Sequence, residues 1–140
     1  MAHVDRPVLI GPDSESEQWV ASVARLAGAP YVIGSKVRTG DRGVEVTLPS
    51  LAAHQGRRPV ILDDVVSSGV TLLSAAKALA RAGFAKPIGL AVHGLQNDED
   101  QDRILTATEA LVTTDSIPNP CARISLDAMI ATAIAGHLGL

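Results

Sequence analysis

The segment Val60-Ile61-Leu62-Asp63-Asp64-Val65-Val66-Ser67-Ser68-Gly69-Val70-Thr71 holds the residue types in this chain best suited to chemistry. An apolar run delivers two adjacent carboxylates, Asp63 and Asp64, which repel each other unless cations or hydroxyl donors offset their charge. Sugar hydroxyls bonded to the carboxylates, or a hydrated Mg²⁺ nearby, would give them a use. Ser67, Ser68, Gly69, Val70 and Thr71 follow and open a helical pattern. Backbone N–H groups at a helix start, helped by the helix dipole, bind phosphate, and Ser and Thr hydroxyls add donors. Ser-Ser-Gly alone would be read as a solvated helix cap. With Asp-Asp in front of it, the segment reads as a strand–loop–helix cradle for a phosphate and a ribose. The lysine of an ordinary ATPase P-loop is absent from it.

Other polar residues close apolar runs in the same way: Gly11-Pro12-Asp13-Ser14, His93-Gly94 and Thr114-Asp115-Ser116. Each by itself is explained by a turn or a helix cap. Together with Asp63-Asp64 they form a polar rim on one edge of a sheet, where open parallel sheets bind ligands. Asp13 is a candidate metal ligand and also a candidate helix cap. Lys36 and Arg38 are candidate phosphate clamps, or else solvated residues of a loop. His93 is a candidate ribose or phosphate contact, with a structural role as the alternative.

The elements that must carry these residues alternate. Pro7 to Ile10 reads as a buried strand. A helix capped by Asp13 or Ser14 follows, with Glu15 and Glu17 in its first turn, Trp19, Val20, Val23 and Leu26 at helical spacing, and Gly28 as C-cap. After a short strand, Tyr31 to Ile33, the polar stretch Ser35 to Gly43 reads as a mobile hairpin or loop, with Val44 to Leu48 as its returning strand. Pro59 to Leu62 is a strand that runs into Asp63-Asp64, and Thr71 to Ala82 is a helix stopped at Gly83. Ile88 to Val92 is a strand, Asp98 to Ala107 a helix, and Ala110 to Thr113 a strand. Arg123 to Leu126 is a last strand, and Asp127 to Leu138 a closing helix. Strands separated by helices predict an α/β fold with a mostly parallel sheet flanked by helices, in one domain over residues 1–140.

Composition agrees. Of 140 residues 46% are hydrophobic but only 2% are aromatic, so the core must be built from Val, Ile, Leu and Ala, which suits strands covered on both faces. A net charge of -3 with no Lys/Arg cluster argues against a nucleic-acid partner. The single cysteine, Cys121, excludes an internal disulfide and a Cys-based zinc site, and reads as a small loop residue. Neither a signal peptide nor a membrane-length apolar run is present, which predicts no membrane partner and a cytoplasmic location. His3 precedes the first strand in no motif and is not assigned as a ligand.

The order apolar strand, Asp63-Asp64, two apolar residues, Ser67-Ser68-Gly69, any residue, Thr71 resembles the signature that binds 5-phosphoribosyl 1-diphosphate (PRPP) in type I phosphoribosyltransferases. Gly11-Pro12-Asp13 is similar to the Ser-Pro-Asp element of ribose-phosphate pyrophosphokinases (PRPP synthetases), and Lys36-Val37-Arg38 to the Lys-x-Arg of that family's catalytic loop. Val92-His93-Gly94 resembles its Thr-His-Gly, and Val112 to Pro118 its Val-Thr-x-Thr-Ile-Pro. The matches keep the family's order from about Pro7 to the last helix, the region that forms the C-terminal half of those enzymes. The N-terminal half, which supplies most adenine-binding residues and a metal-binding histidine, has no counterpart in this sequence.

The resemblance implies a type I phosphoribosyltransferase-like fold and a domain that binds ribose 5-phosphate and PRPP. In the complete enzyme it would serve transfer of a diphosphoryl group from ATP to ribose 5-phosphate, with Mg²⁺ as cofactor. The phosphate would dock on Ser67, Ser68, Gly69, Val70 and Thr71, and the ribose hydroxyls near Asp63 and Asp64. Lys36 and Arg38 would close over the ATP phosphates, Asp13 would help hold Mg²⁺, and the protein would be a homo-oligomer. The chain alone is expected to bind but to be catalytically incomplete. Two alternatives stand beside this: a phosphoribosyltransferase that joins PRPP to a nucleobase, and a non-catalytic PRPP-sensing or assembly module. The chain departs from the family where Ser14-Glu15-Ser16-Glu17 replaces Gly-Gly and an Arg, where Ser67 replaces an Asp, and where Val70 replaces a Gly.

Overall fold

The computed structural model describes residues 4–39 and 43–138. His3, and Gly40, Asp41 and Arg42 from the expected hairpin or loop, lie outside the described residues. The first strand, β1 (Pro7–Gly11), leads through a 3₁₀ turn (Ser14–Ser16) into α1 (Glu17–Ala27) and back to β2 (Tyr31–Ile33). A hairpin of β3 (Ser35–Thr39) and β4 (Gly43–Thr47) follows, and a second 3₁₀ turn (Ala52–His54) leads to β5 (Arg58–Val66). The chain continues through α2 (Val70–Arg81), β6 (Ile88–Gly94), α3 (Asp98–Ala107), β7 (Ala110–Thr114), β8 (Ala122–Ile124) and α4 (Asp127–Leu138).

Six strands form one sheet in the order β2-β1-β5-β6-β7-β8, and every neighbouring pair is parallel. The aliphatic strands are buried on both faces, as such a sheet requires. On one face Val20 and Ala24 of α1 pack with Leu9, Val60 and Leu62. On the other, Leu72, Ala75, Ala76 and Leu79 of α2 and Ile104 of α3 pack with Val8, Ile10, Ile61, Ala91 and Leu111. The chain leaves β1 toward β2 in one direction and leaves β5 toward β6 in the other. The order therefore reverses between β1 and β5, which opens the crevice where doubly wound sheets take their ligands.

The hairpin stands off the sheet as an antiparallel pair, with Lys36 opposite Val46 and Arg38 opposite Val44. It is anchored to α2 by the Val46 N–H, which donates to Ser74 Oγ at 2.8 Å. Strand alternation puts Lys36 and Arg38 on one side of it. The closing helix α4 is apolar around its circumference and exposed, with Met129 at 64% and Ile130 at 49% accessibility. No helix among the described residues is long and apolar enough to cross a membrane.

The predicted elements are found in order, with shifts at their ends. The strand expected over Pro59 to Leu62 runs from Arg58 to Val66, because β6 also runs on and gives Asp63, Val65 and Val66 parallel partners in Ala91, His93 and Gly94. Asp63 and Asp64 thus belong to the last part of the strand. The last strand ends at Ile124, and Leu126 is instead drawn into the turn before α4, where its N–H donates to Asp115 Oδ1 at 3.0 Å. Val23 and Leu26 share the helical spacing of Trp19 and Val20, yet they are 38% and 84% exposed. The helix faces the β2–β1 edge of the sheet, and only the stripe through Val20 and Ala24 is covered.

These positions separate in a stability assay. Ile61→Ala, at a fully buried site on the central strand, is expected to cost about 2–5 kcal/mol in urea unfolding, and Leu26→Ala less than about 0.5 kcal/mol. A large loss at Leu26 would contradict this placement of α1.

Candidate functional site

The crevice between β1 and β5 receives its first wall from Asp13. This residue is extended, at φ −152° and ψ 173°, and caps the 3₁₀ turn: its Oδ1 accepts from the Ser16 N–H at 3.1 Å. The expected helix from Asp13 or Ser14 is therefore a 3₁₀ turn that hands over to α1 at Glu17. The second carboxylate oxygen, Oδ2, faces the ammonium of Lys36 at 3.4 Å, so the hairpin is tied to the end of β1 by an ion pair. Asp13, Ser14, Glu15, Ser35, Lys36 and Arg38 line one cleft of about 280 Å³. The structure thus brings both candidate clamps and the candidate metal ligand together.

The second wall is the end of β5. Asp63 Oδ1 accepts from the Asp64 N–H at 3.0 Å, and Asp64 Oδ1 accepts from the Val65 N–H at 2.8 Å. Burial raises the Asp63 carboxyl from an ordinary 3.8 to about 6, and the neighbouring charge of Asp64 adds to the effect. Backbone hydrogen bonding and the positive charge of Lys36 oppose it. The cation therefore acts electrostatically on both walls of the crevice.

Beyond β5 the chain bends at Ser67 and Ser68, both exposed, and enters α2 through Gly69. Gly69 has φ 71°, a left-handed conformation that suits glycine, and a Cβ there would lie 2.5 Å from two carbons of Ile104. The glycine is thus required by its conformation and by the closeness of α3. With no side chain at the N-cap, α2 starts uncapped, and the N–H groups of Gly69, Val70 and Thr71 have no acceptor among the described residues. Side chains cap the first 3₁₀ turn, through Asp13, and α3, where Asn97 Oδ1 accepts from the Asp100 N–H at 2.8 Å; α1, which continues the 3₁₀ turn, has no side-chain cap at Ser16. An uncapped helix start beside two carboxylates can accept an anion on its N–H groups while the acids take hydroxyls.

The rim beyond β6 and β7 is largely self-satisfied. His93 Nδ1 lies 2.9 Å from Ser116 Oγ, and both Ser116 Oγ and Thr114 Oγ1 donate to the Val92 carbonyl, at 3.1 and 2.6 Å. Asp115, which sequence analysis placed on the rim, accepts from the Leu126 N–H and acts as a turn residue. Cys121 is buried beside Gln101, its Sγ donating to Oε1 at 3.3 Å. One residue that the sequence reading passed over reaches the cradle. Arg103 on α3 donates from Nη2 to the Ser68 carbonyl at 3.2 Å. In sequence it stands three residues after Asp100 on a polar helix, which reads as an ordinary surface ion pair, and the two do lie 3.4 Å apart.

The raised Asp63 carboxyl has a consequence for stability. Between 3.8 and about 6 the folded chain holds more protons at this group than the unfolded chain, so this contribution to stability grows as pH falls through that window. At pH 7 the ionised group destabilises the fold. The full effect is about 3 kcal/mol, reduced to about 1–2 kcal/mol because solvent reaches the carboxylate. Asp63→Asn is therefore expected to stabilise the chain by that amount at pH 7 and to give no gain below pH about 4, as read from chemical denaturation across pH. A gain independent of pH would contradict the burial of Asp63.

Residues 3–112 match the profile of the phosphoribosyl transferase domain family. The ribose-phosphate pyrophosphokinase of Thermoplasma acidophilum is 31% identical over 134 residues, which are 96% of this chain and 46% of that protein. That of Methanopyrus kandleri is 30% identical over 94% of this chain and 45% of the relative. The chain thus spans about half the length of the curated relatives it matches. Among solved structures, phosphoribosylpyrophosphate synthetase from Mycobacterium smegmatis superposes with a TM-score of 0.73 at 22% identity, over 96% of this chain and 45% of the other. Adenine phosphoribosyltransferase from Thermoanaerobacter pseudethanolicus gives 0.62 at 18% identity, over 79% and 70%. These two likenesses establish the fold. An all-parallel sheet with its cradle at the strand-order reversal, and a family profile over most of the chain, lead to one assignment: the chain belongs to the phosphoribosyl transferase domain family.

Proposed function

We propose that this chain is the ribose 5-phosphate and PRPP-binding part of a ribose-phosphate pyrophosphokinase. The observation that carries the reading is the uncapped start of α2 directly after Asp63-Asp64, in the crevice between β1 and β5. The 5-phosphate would rest on the N–H groups of Gly69, Val70 and Thr71 with the Ser67, Ser68 and Thr71 hydroxyls around it. The ribose hydroxyls would donate to Asp63 and Asp64. This arrangement relieves the repulsion between the two acids, because hydroxyl donors take the place of a counter-charge.

Lys36 and Arg38 share the cleft on the opposite wall, where they would meet the phosphates of ATP and stabilise charge that develops as the diphosphoryl group passes to ribose 5-phosphate. In the described structure Lys36 is paired with Asp13, so engaging a phosphate means exchanging one anionic partner for another. Among the described residues no group of three His, Cys, Asp or Glu side chains could cage a metal. Mg²⁺ is usually held by one or two carboxylates plus substrate phosphates, and Asp13 fits that role once Lys36 has turned toward the phosphates and freed Oδ2. When bound there it would neutralise and align the phosphates. His93, held by Ser116, would contact the ribose or its phosphates.

The homologues named ribose-phosphate pyrophosphokinase favour this reading, and it carries with it a cytoplasmic homo-oligomer that takes ATP with the help of a further half. The likeness to adenine phosphoribosyltransferases supports a second reading, use of PRPP with a nucleobase. Calorimetry and product assays separate them. Ribose 5-phosphate is expected to bind this chain with little or no AMP formed from ATP. Ser68→Glu, which sets a negative charge in the cradle, should weaken binding at least about tenfold. Pyrophosphate release that depends on an added base would favour the transferase, and ribose 5-phosphate affinity unchanged by Ser68→Glu would overturn the site.

A further inference from the structure

The phosphate cradle depends on the Ser68–Gly69 peptide, and one side chain outside the signature holds that peptide. Arg103 Nη2 donates to the Ser68 carbonyl at 3.2 Å. In a trans peptide the carbonyl of one residue and the N–H of the next point in opposite directions, and the described residues contain no cis bond. A guanidinium on the Ser68 oxygen therefore directs the Gly69 N–H away from α3. The next residue on α3, Ile104, fills the space where a Gly69 Cβ would be. Two consecutive residues of one helix thus template the turn, one by a hydrogen bond and one by shape.

We propose that Arg103 is a positioning residue for phosphate binding. It fixes the Ser68–Gly69 peptide with its N–H presented to the anion, and it makes that N–H a stronger donor by polarising the peptide from the carbonyl side. This rests on the cradle assignment above and adds a residue to it. Three features of the chain make the role consequential. Val70 stands where the signature has a second glycine. The residues directly after Gly69, Val70-Thr71-Leu72-Leu73, include no lysine to draw the phosphate in. Helix α2 does not use the Ser68 carbonyl, which accepts from Arg103, so without the arginine that carbonyl has no donor among the described residues to orient it. Asp100, 3.4 Å from Nη2, holds the guanidinium in place and offsets part of its charge.

The test follows backbone amide resonances of the full chain during titration with inorganic phosphate and then with ribose 5-phosphate. In the unsubstituted chain the amides of Gly69, Val70 and Thr71 should all shift. Arg103→Met should lose the Gly69 response while Val70 and Thr71 still respond, with affinity for ribose 5-phosphate weakened about tenfold, the usual consequence of deleting a charge-assisted hydrogen bond. Arg103→Lys should recover affinity to within about threefold, which a merely structural role at this half-exposed position does not predict. Should Arg103→Met fail to give a dispersed spectrum, Arg103→Gln carries the test: it keeps a neutral N–H donor and should show an intermediate Gly69 response and affinity. An unsubstituted Gly69 response and unchanged affinity in the folded Met or Gln variant would overturn the proposal while leaving the cradle intact. Absence of any response at residues 69–71 in the unsubstituted chain would overturn the cradle reading and this proposal together.

Discussion

Two carboxylates side by side at the end of a buried strand are the constraint around which the rest of this structure is arranged. Asp63 is held in an environment that disfavours its charge, Asp64 adds a second charge next to it, and each gives up one oxygen to the following backbone N–H. Such a pair is stable only where the surroundings supply compensation. The strand order reverses between β1 and β5, which brings the far wall of the crevice, with Lys36, close enough to act on Asp63. The uncapped start of α2 supplies the complementary feature, donors in need of an anion. A ligand with hydroxyls at one end and a phosphate at the other answers both needs.

Much of this was legible in the sequence because it is local. The strands, the helices at Asp98–Ala107 and Asp127–Leu138, the glycine C-cap at Gly28 and the glycine entry to α2 all follow from patterns a few residues long. The polar rim was legible too, as hydrophilic residues that close apolar runs. What was misread depends on partners distant in sequence. Strand β5 extends through the acids because β6 continues beside it, and a ladder partner outweighs the low strand preference of aspartate. Leu26 shares the helical spacing of Trp19 and Val20, yet at the edge of the sheet it stays exposed. Asp115 looks like a rim acid until the turn after β8 brings the Leu126 N–H to it.

The site residues divide along the same line. The signature residues could be found because the loop that carries them is continuous. The Lys36–Asp13 pair joins positions 23 residues apart and required the hairpin's actual geometry, although both residues had been singled out separately. Arg103 lies 35 residues from Ser68 and offered no signal, since an Asp and an Arg three apart on a polar helix have a sufficient local explanation. Functions that pass through a backbone carbonyl leave no pattern in side-chain chemistry. They become visible once the question is which group answers each polar atom.

The central claim is that a single ligand spans from the acids of β5 to the start of α2. A crystal structure of the chain with ribose 5-phosphate tests it most directly. The phosphate is expected against the N–H groups of Gly69, Val70 and Thr71, with ribose hydroxyls within hydrogen-bond reach of Asp63 and Asp64. A phosphate seated instead beside Lys77 and Arg81, in the cleft of about 330 Å³ along the side of α2, would contradict it.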